Sequence, residues 1–284
     1  MILKTLSEFQ TAVPTAAGTE DFSDFEPYIR SAELWIKSNV LGKTLYDAII
    51  DSSSASTEPD EDLIRLCQNV IGNHAYWDAI PFLDVVHTES GFAIITAQNK
   101  VPASKERVER LREQFLIRRD NEVEYLIAYL EENSQYHTAW KSSAAYSILS
   151  DCLISTAAEL KQFSQWDGTR KDFMLLRPKM NQETMTKLEP VFSKDYIEEL
   201  IEKQRSQELS GDDLKIMNLL KQVLGCLLSD NQHAAEKIME DALWYIDRYP
   251  ESFSTYIDSL EYKARATEGY INSLDGTIFS SLFQ

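Results

Sequence analysis

The stretch YLEENSQYHTAW, residues 129–140, returns in altered form as YIDRYPESFSTY, residues 245–256. Both stretches begin with a tyrosine, an aliphatic residue and an acid, and both end on a large aromatic residue. Glu124 and Glu240 correspond at the same offset of 116 positions (240 − 124). Similarity at a fixed offset indicates an internal repeat, so the sequence predicts a chain built from two related halves.

Upstream of these stretches the correspondence continues at a different offset. The dipeptide Asp-Leu opens one predicted helix at residue 62 and its counterpart at residue 213, an offset of 151 (213 − 62). The two offsets differ by 35 (151 − 116), so the first half holds about 35 residues that the second half lacks. These residues fall between the predicted helix of 62–80 and Glu124. Chance similarity between two unrelated helical halves is the alternative explanation.

Most of the chain has the apolar spacing of amphipathic helices. The predicted helices lie at 25–40, 45–50, 62–80, 103–132, 142–164, 173–187, 193–208, 212–229, 233–248 and 253–272. The exception is the stretch of 85–100, where two short apolar runs flank a Ser-Gly turn, as in a β-hairpin. The fold class is therefore expected to be mainly α and helical bundle-like, with two related helical halves (1–141 and 142–284) and one small β-hairpin, about 82–98, inserted in the first. The halves can be separate domains or can pack as one.

Composition and charge exclude several classes of protein. The 284 residues are 43% hydrophobic, which indicates a folded chain, and the formal net charge is −18. Ordinary nucleic-acid binding requires a basic face, so this balance argues against it. The acidic surface serves solubility alone, or it lines a passage that DNA crosses without sticking. The first twenty residues do not have the pattern of a signal peptide, and no run of 18 apolar residues predicts a membrane span.

No catalytic motif is present in the sequence. The glycines do not form phosphate-binding patterns, and neither GxSxG nor CxxC occurs. Cys67, Cys152 and Cys226 are far apart and odd in number, which fits a reducing compartment. Two Asp-x-x-His pairs, at 84–87 and 230–233, have the spacing of helical metal ligands, but the first falls on a predicted strand and the sequence does not identify companion glutamates on separate helices. We therefore expect no catalytic residue, no cofactor-binding residue and no metal site, and a protein that is not an enzyme.

Four stretches carry a resemblance to a known family. They are NVLGKTLYDAI (39–49), HAYWDAIPFLDVV (74–86), ESGF (89–92) and INSLDGTIFSSLF (271–283). Together they resemble an uncharacterised family encoded in prophages of gut Bacteroidetes, and the order of elements over residues 22–132 is similar to that of phage head–tail connector (adaptor) proteins. Those connectors are usually shorter and lack a second half.

The resemblance implies a non-enzymatic virion structural protein. Connectors assemble as rings beneath the portal, so the implied partners are portal or tail components and further copies of the chain in a ring-type homo-oligomer. DNA would be a passing cargo, no membrane is implied, and the protein would be cytoplasmic during assembly and then part of the virion. An acidic channel wall would have a role there, because it would not trap DNA.

Two alternatives to the connector remain at this point. One is a helical-repeat protein–protein interaction module of a cellular complex, and the other is a metal-dependent helical-bundle enzyme using Asp230 and His233. For the connector, the inserted hairpin is the expected contact element, because a helical core that can fold without it has no need of it. The candidate interface residues are Val85, Phe92, Ile94 and Ile95, which we expect to face solvent or a partner.

Overall fold

The computed structural model describes residues 1–18, 21–52, 60–83, 85–88, 91–94, 104–209 and 211–275. Helices account for nearly all of these residues, which confirms the mainly α fold class. Backbone contacts divide the chain into two compact units, Met1–Ile148 and Leu149–Gln284. The division falls a few residues after the boundary expected between 141 and 142.

The first unit consists of helices joined by short turns, with one two-stranded ladder. Its α-helices are α1 (Leu6–Ala12), α2 (Glu26–Ile36), α3 (Gly42–Ser52), α4 (Glu61–Ala79), α5 (Lys105–Glu132), α6 (His137–Lys141) and α7 (Ala144–Ser150), the last of which reaches the boundary. Short 3-10 turns lie at Pro14–Gly18, Ile80–Phe82 and Ser134–Tyr136, and a π-helical turn spans Lys37–Leu41. Strands β1 (Val85–Thr88) and β2 (Gly91–Ile94) pair antiparallel between α4 and α5.

Gly42 separates α2 from α3, where the sequence predicts a helix end. Its φ of +74° lies in the left-handed region, which strongly favours glycine. Space is a second requirement, since a Cβ at this position would lie 2.3 Å from the Cβ of Ser143. The chain therefore turns sharply here and can bring α3 against α6.

The core of the first unit forms chiefly where α4 packs against α5. The predicted apolar face of α4 is buried, with Cys67, Val70 and Ile71 fully enclosed. On α5 the buried stripe begins only at Phe115 and continues through Leu130. Each enclosed aliphatic or aromatic side chain contributes roughly 1.5–3 kcal/mol relative to an exposed one, so this helix pair is the main source of stability in the unit.

The second unit has a core of its own. Its helices are α8 (Ala157–Phe163), α9 (Arg170–Glu183), α10 (Glu189–Phe192), α11 (Lys194–Arg205), α12 (Gly211–Leu228), α13 (Gln232–Arg248), α14 (Ser254–Ile257) and α15 (Leu260–Asp275), with a π-helical turn at Thr184–Leu188 and a 3-10 turn at Pro250–Ser252. The pair α12 and α13 is the principal packing contact here. Aromatic residues at the centre of this core, Tyr196, Phe253 and Tyr256, are almost fully buried.

The prediction of one helix over 142–164 is wrong. The structure has α7 and α8 separated by residues 151–156, because Thr156 starts a new helix by accepting a hydrogen bond from the backbone N–H of Glu159 at 3.1 Å. The Glu159 carboxylate in turn accepts from the backbone N–H of Ser155 at 2.8 Å. These caps satisfy N–H groups that an apolar pattern alone does not reveal.

Within the described ranges, no helix combines the length and apolar character that crossing a lipid bilayer would take.

Candidate functional site

Three of the four candidate interface residues of the hairpin belong to the two-stranded ladder. Val85 begins β1, Phe92 and Ile94 belong to β2, and Ile95 lies outside the described residues. The register pairs Val85 with Ile94 and His87 with Phe92.

Residues 80–114, which connect α4 to the buried part of α5, are called the arm. No side chain of residues 104–114 is buried, although these residues include the first ten of α5. Phe82 and Leu83 are 59% and 44% exposed, and Leu111 is 39% exposed. Phe82 stacks on Tyr28 with ring centroids 6.1 Å apart, which holds the start of the arm against α2. The arm therefore presents apolar side chains to solvent.

Where the arm joins the core, an arginine is enclosed by aromatic rings. The Arg119 guanidinium lies 4.6 Å from the ring centroid of Trp35, and its Nη1 donates to Nδ1 of His74 at 3.3 Å. The same guanidinium pairs with Asp120 at 2.5 Å. Burial, and secondly the charge of Arg119, lower the pKa of His74 to about 4. His74 is therefore a neutral core histidine, as its position on an apolar helix face indicates.

A second polar cluster is centred on Asp60, at the start of α4. Its carboxylate caps the helix by accepting from the backbone N–H of Leu63 at 2.9 Å. It also accepts from the hydroxyl of Tyr129 at 2.8 Å and from the hydroxyl of Tyr136. Burial opposes ionisation of Asp60, but these hydrogen bonds outweigh it and lower its pKa. Asp60 is therefore an ionised carboxylate that ties the start of α4 to the end of α5.

Beside Asp60 the structure has a cleft of about 380 Å³. Its walls come from three places in the first unit, namely α3, the first turns of α4, and the segment that leads into α6. The lining residues are Leu45, Ala48, Ile49, Asp60, Leu63, Ile64, Gln135, Tyr136 and Ala139. The walls are mostly aliphatic and the one charged side chain in the lining is Asp60. A volume of this size with few polar groups lies within the range of small-ligand and side-chain pockets.

The second unit has a cluster comparable to that of Asp60. Asp212, near the start of α12, accepts from the hydroxyl of Tyr245 at 2.5 Å and from that of Ser252 at 2.6 Å. The hydrogen bonds from Ser252 and Tyr245 lower the pKa of Asp212. A carboxylate at a helix start again ties that helix to the end of its partner.

Charged side chains surround this second cluster, whereas a cleft lies beside the Asp60 cluster. Lys203 pairs with Glu199 at 2.5 Å and with Asp213 at 2.7 Å. Glu199 is also hydrogen-bonded by Thr255, and despite partial burial the bonds from Lys203 and Thr255 lower its pKa. These side chains occupy the space between α11, α12 and α14.

The two Asp-x-x-His pairs are not brought into a metal-binding arrangement in the described parts of the chain. Asp230 is exposed and pairs with Lys179 at 3.3 Å, and His233 is exposed at the start of α13. Asp84 lies outside the described residues, and His87 is on β1. Over the described ranges, no three His, Cys, Asp or Glu side chains are grouped so that they could hold a metal ion.

The three cysteines are free thiols. Cys67 and Cys152 are buried, and burial raises the pKa of both thiols. The pKa of Cys152 is raised to about 12, and the negative charge of Asp151 is the second cause of this shift. Burial also raises the pKa of the half-buried Cys226. Thiols that are protonated at neutral pH are poor nucleophiles, so the cysteines act as small apolar residues.

A family model matches part of the first unit. The model of a family of unknown function (DUF6712) matches residues 38–148, which end at the boundary of the first unit and include the arm and the whole lining of the Asp60 cleft. Neither the curated proteins nor the solved structures contain a match to this chain.

Proposed function

We propose that this protein is a non-enzymatic structural protein of a phage or prophage virion, similar to a head–tail connector, and that the arm is its contact element. The observation that carries the proposal is the exposure of the arm, in which residues 104–114 contribute no buried side chain. A stretch of helix about 15 Å long, residues 105–114, without a buried residue gains little stability from the packing of its own unit. Its exposed apolar side chains are then best explained by a partner.

The charge of the arm supports a contact role. Residues 80–114 contain five acidic and five basic residues, whereas the whole chain has a net charge of −18. A neutral segment is the place where another acidic copy, or another acidic virion protein, meets the least repulsion. Exposed Phe82, Leu83 and Leu111 add apolar area there. The arm therefore combines the two properties that a protein–protein contact surface needs.

Comparison of α5 with α13 supports the view that the arm is an addition to a duplicated unit. At the offset of 116, Gln232, the first residue of α13, corresponds to Leu116 (232 − 116). The extra residues of α5 are therefore 105–115, nearly the same as the stretch that is not buried. In the second unit, α12 connects to α13 through residues 229–231 alone. The unit thus has a compact form without an arm.

The first helices of the two units support the duplication itself. Thr5 caps α1 and accepts from the backbone N–H of Glu8, and Thr156 caps α8 and accepts from that of Glu159. In each case the glutamate carboxylate accepts a hydrogen bond from a backbone N–H before the helix, that of Lys4 in the first unit and that of Ser155 in the second. Both pairs correspond at an offset of 151 (156 − 5 and 159 − 8).

Two long-range hydrogen bonds correspond in the same way. Trp140 donates its ring N–H to the carbonyl oxygen of Val40, and Tyr256 donates its hydroxyl to that of Val191, both at 2.8 Å. The aromatic residues lie 116 positions apart (256 − 140) and the valines 151 positions apart (191 − 40). A shared bond between distant residues is unexpected for unrelated helical units.

Helices α4 and α12 match better at an offset of 153 than at 151. Gly72 and Gly225 (225 − 72) each allow the first helix of their unit to approach closely, since a Cβ would lie 2.9 Å from Ala12 and 1.7 Å from the Phe163 carbonyl oxygen. The insertion is then 37 residues (153 − 116) in place of 35.

Binding to virion components tests the proposal. The purified protein would be mixed with the portal and tail proteins encoded beside it, and the mixture separated by size-exclusion chromatography and viewed by electron microscopy. We expect a co-eluting complex that contains a ring. Leu111→Glu places a charge on the exposed face of the arm and should weaken the complex by at least about tenfold, since a charge buried at a contact costs more than 1.4 kcal/mol.

Leu175→Glu is the matched control, because Leu175 is 68% exposed on α9 of the second unit. This variant should bind like the wild type, and circular dichroism should be the same for all three proteins. Absence of binding to any portal or tail component would refute the connector function. Equal weakening by both substitutions would refute the role of the arm.

A helical-repeat interaction module is the second candidate function. The corresponding hydrogen bonds and caps of the two units favour it, because repeated helical units commonly form binding surfaces in cellular complexes. This candidate predicts a monomer that binds a non-virion protein, and its test is the same chromatography with the products of neighbouring cellular genes.

A further inference from the structure

The solvent-facing side of the first part of α5 carries arginines and apolar residues together. Its residues recur every three or four positions, as one face of a helix does, and all of them are exposed. They are called the α5 stripe and comprise Arg107, Arg110, Leu111, Gln114, Ile117 and Arg118. Leu111 and Ile117 are 39% and 42% exposed, and Tyr125, which is 62% exposed, continues the same face. The stripe therefore combines positive charge with apolar area and includes no acidic residue.

The arginines of the stripe are a local exception in an acidic protein. None of the three forms an ion pair with a carboxylate in the part of the chain that the structure describes, and Arg118 stays exposed although its guanidinium lies 5.7 Å from the ring centroid of Phe115. Residues 105–119 contain six basic and three acidic residues, a net charge of +3, so the rest of the chain carries −21 (−18 − 3). Such a surface attracts acidic proteins, including further copies of this chain.

Helix α13 of the second unit has a face with the complementary groups. Trp244 is 60% exposed, although the guanidinium of Arg248 lies 5.3 Å from its ring centroid. Glu240 and Asp241 are exposed four and three positions before it, on the same side of the helix, and neither pairs with a cation among the described residues. Residues 240–247 contain three acidic residues and no basic one. Glu240, Asp241 and Trp244, called the α13 face, therefore offer carboxylates beside an aromatic ring.

The α5 stripe and the α13 face match in the groups on which protein contacts depend most. Arginine forms forked hydrogen bonds with carboxylates and also binds over the ring of a tryptophan. Tryptophan and arginine are enriched among the residues that dominate the free energy of protein–protein binding. Leu111 and Ile117 add apolar area next to the arginines. A local charge of +3 on one helix would meet a local charge of −3 on the other.

We infer that the α5 stripe of one copy binds the α13 face of a second copy. The stripe lies largely within residues 105–115, by which α5 exceeds α13, so α13 has no equivalent stripe and the contact joins two different surfaces. Each copy then keeps one free surface of each kind, and further copies can add head to tail. The contact rests on the proposed function, in which copies assemble into a ring, and it names the two surfaces that such a ring requires.

Sedimentation velocity of the full chain over a series of concentrations tests this contact. At low salt we expect association that increases with protein concentration. Raising the salt to about 1 M shortens the Debye length to about 3 Å and should weaken the association. Arg110→Glu should weaken it at least about tenfold, because like charges then face each other across the contact. Trp244→Ala should weaken it by a similar factor, because the aromatic partner of the arginines is removed.

Mixing the two variants shows whether the contact joins different surfaces. Arg110→Glu keeps an intact α13 face and Trp244→Ala keeps an intact stripe, so an equimolar mixture should form dimers that do not grow further. Lys171→Glu and Leu175→Ala, at exposed positions of α9, are the matched controls and should associate like the wild type. Circular dichroism should be the same for all five proteins.

Several results would overturn the inferred contact. They are a wild type that stays monomeric up to about 1 mM, association that is unchanged at high salt, undiminished association of either variant, and a mixture of the variants that forms no dimers. Double-stranded DNA that binds the monomeric wild type but not Arg110→Glu would assign the stripe to phosphate groups, which also excludes the contact between copies.

Failure of the contact and failure of the proposed function are distinguishable. Sedimentation of the purified chain involves no portal or tail component, so self-association can be present when the connector function is refuted. A wild type that stays monomeric but enters a complex with portal or tail proteins would overturn the contact between copies alone.

Discussion

The buried imidazole of His74 predicts a specific dependence of stability on pH. In an unfolded chain this histidine takes up a proton below its ordinary pKa of 6.5, whereas in the folded protein its pKa is lowered to about 4. Between these values the unfolded state binds more protons, so the free energy of unfolding falls as the pH decreases from 6.5 towards 4. Above pH 6.5 His74 is neutral in both states and has no such effect.

The magnitude follows from the two pKa values. The full difference corresponds to about 3 kcal/mol, at 1.36 kcal/mol for each pKa unit. At pH 5.5, which is above the isoelectric point of about 4.6, the expected loss relative to pH 7.5 is about 1 kcal/mol. Working above the isoelectric point avoids loss of solubility.

Urea denaturation of the wild type and of His74→Gln at pH 7.5 and 5.5 measures this loss. Other titrating groups contribute to both proteins, so the wild type should lose about 1 kcal/mol more than the variant between the two pH values. His233→Gln, which removes an exposed imidazole, is the matched control. NMR of histidine ring protons gives the pKa of His74 directly. A pH-independent stability difference between wild type and variant, or titration of His74 near 6.5, would refute the reasoning.

Two further predictions concern close contacts, the first of a glycine in each unit and the second of a buried ion pair in the second unit. Gly225→Ala should destabilise the protein by about 3 kcal/mol or more, because the new Cβ would lie 1.7 Å from the Phe163 carbonyl oxygen. Gly72→Ala should cost less, because its Cβ would meet side-chain methyl groups at 2.9 Å and 3.1 Å. Urea denaturation measures both costs, and similar values for the two variants would contradict this reasoning. Lys221 is 4% exposed and pairs with Glu159. Lys221→Met should cost roughly 3 kcal/mol by leaving the Glu159 carboxylate without its cation, and the double variant with Glu159→Gln should recover part of this cost. Additive costs of the two substitutions would argue against the pair.

The helices could be predicted from the sequence to the extent that an apolar stripe marks them. The predicted helices 62–80 and 103–132 closely match α4 (Glu61–Ala79) and α5 (Lys105–Glu132). The short α1 was not predicted, and the break before α8 was missed, because both depend on Thr-x-x-Glu caps and have few apolar residues. In such segments hydrogen bonds, more than burial, decide where the helix begins.

The candidate site was less accessible from the sequence. Asp60 belongs to an acidic run, which by itself indicates a solvent-exposed helix start. Nothing in the local sequence indicates that the hydroxyls of Tyr129 and Tyr136, about 70 positions away, donate hydrogen bonds to it. The cleft is lined by Ala48 and Ala139 among others. Both are small residues with no polar side-chain group, so the sequence alone does not mark them as part of a cleft.

The different connections of the two units have a consequence for folding kinetics. In the second unit the main helix pair, α12 and α13, closes over residues 229–231, whereas in the first unit α4 and α5 must meet across residues 80–104. Closing a longer loop costs more chain entropy before any contact forms, and contacts between distant residues slow folding. The second unit should therefore gain hydrogen-exchange protection earlier during refolding, and the arm would delay the completion of the unit that carries it.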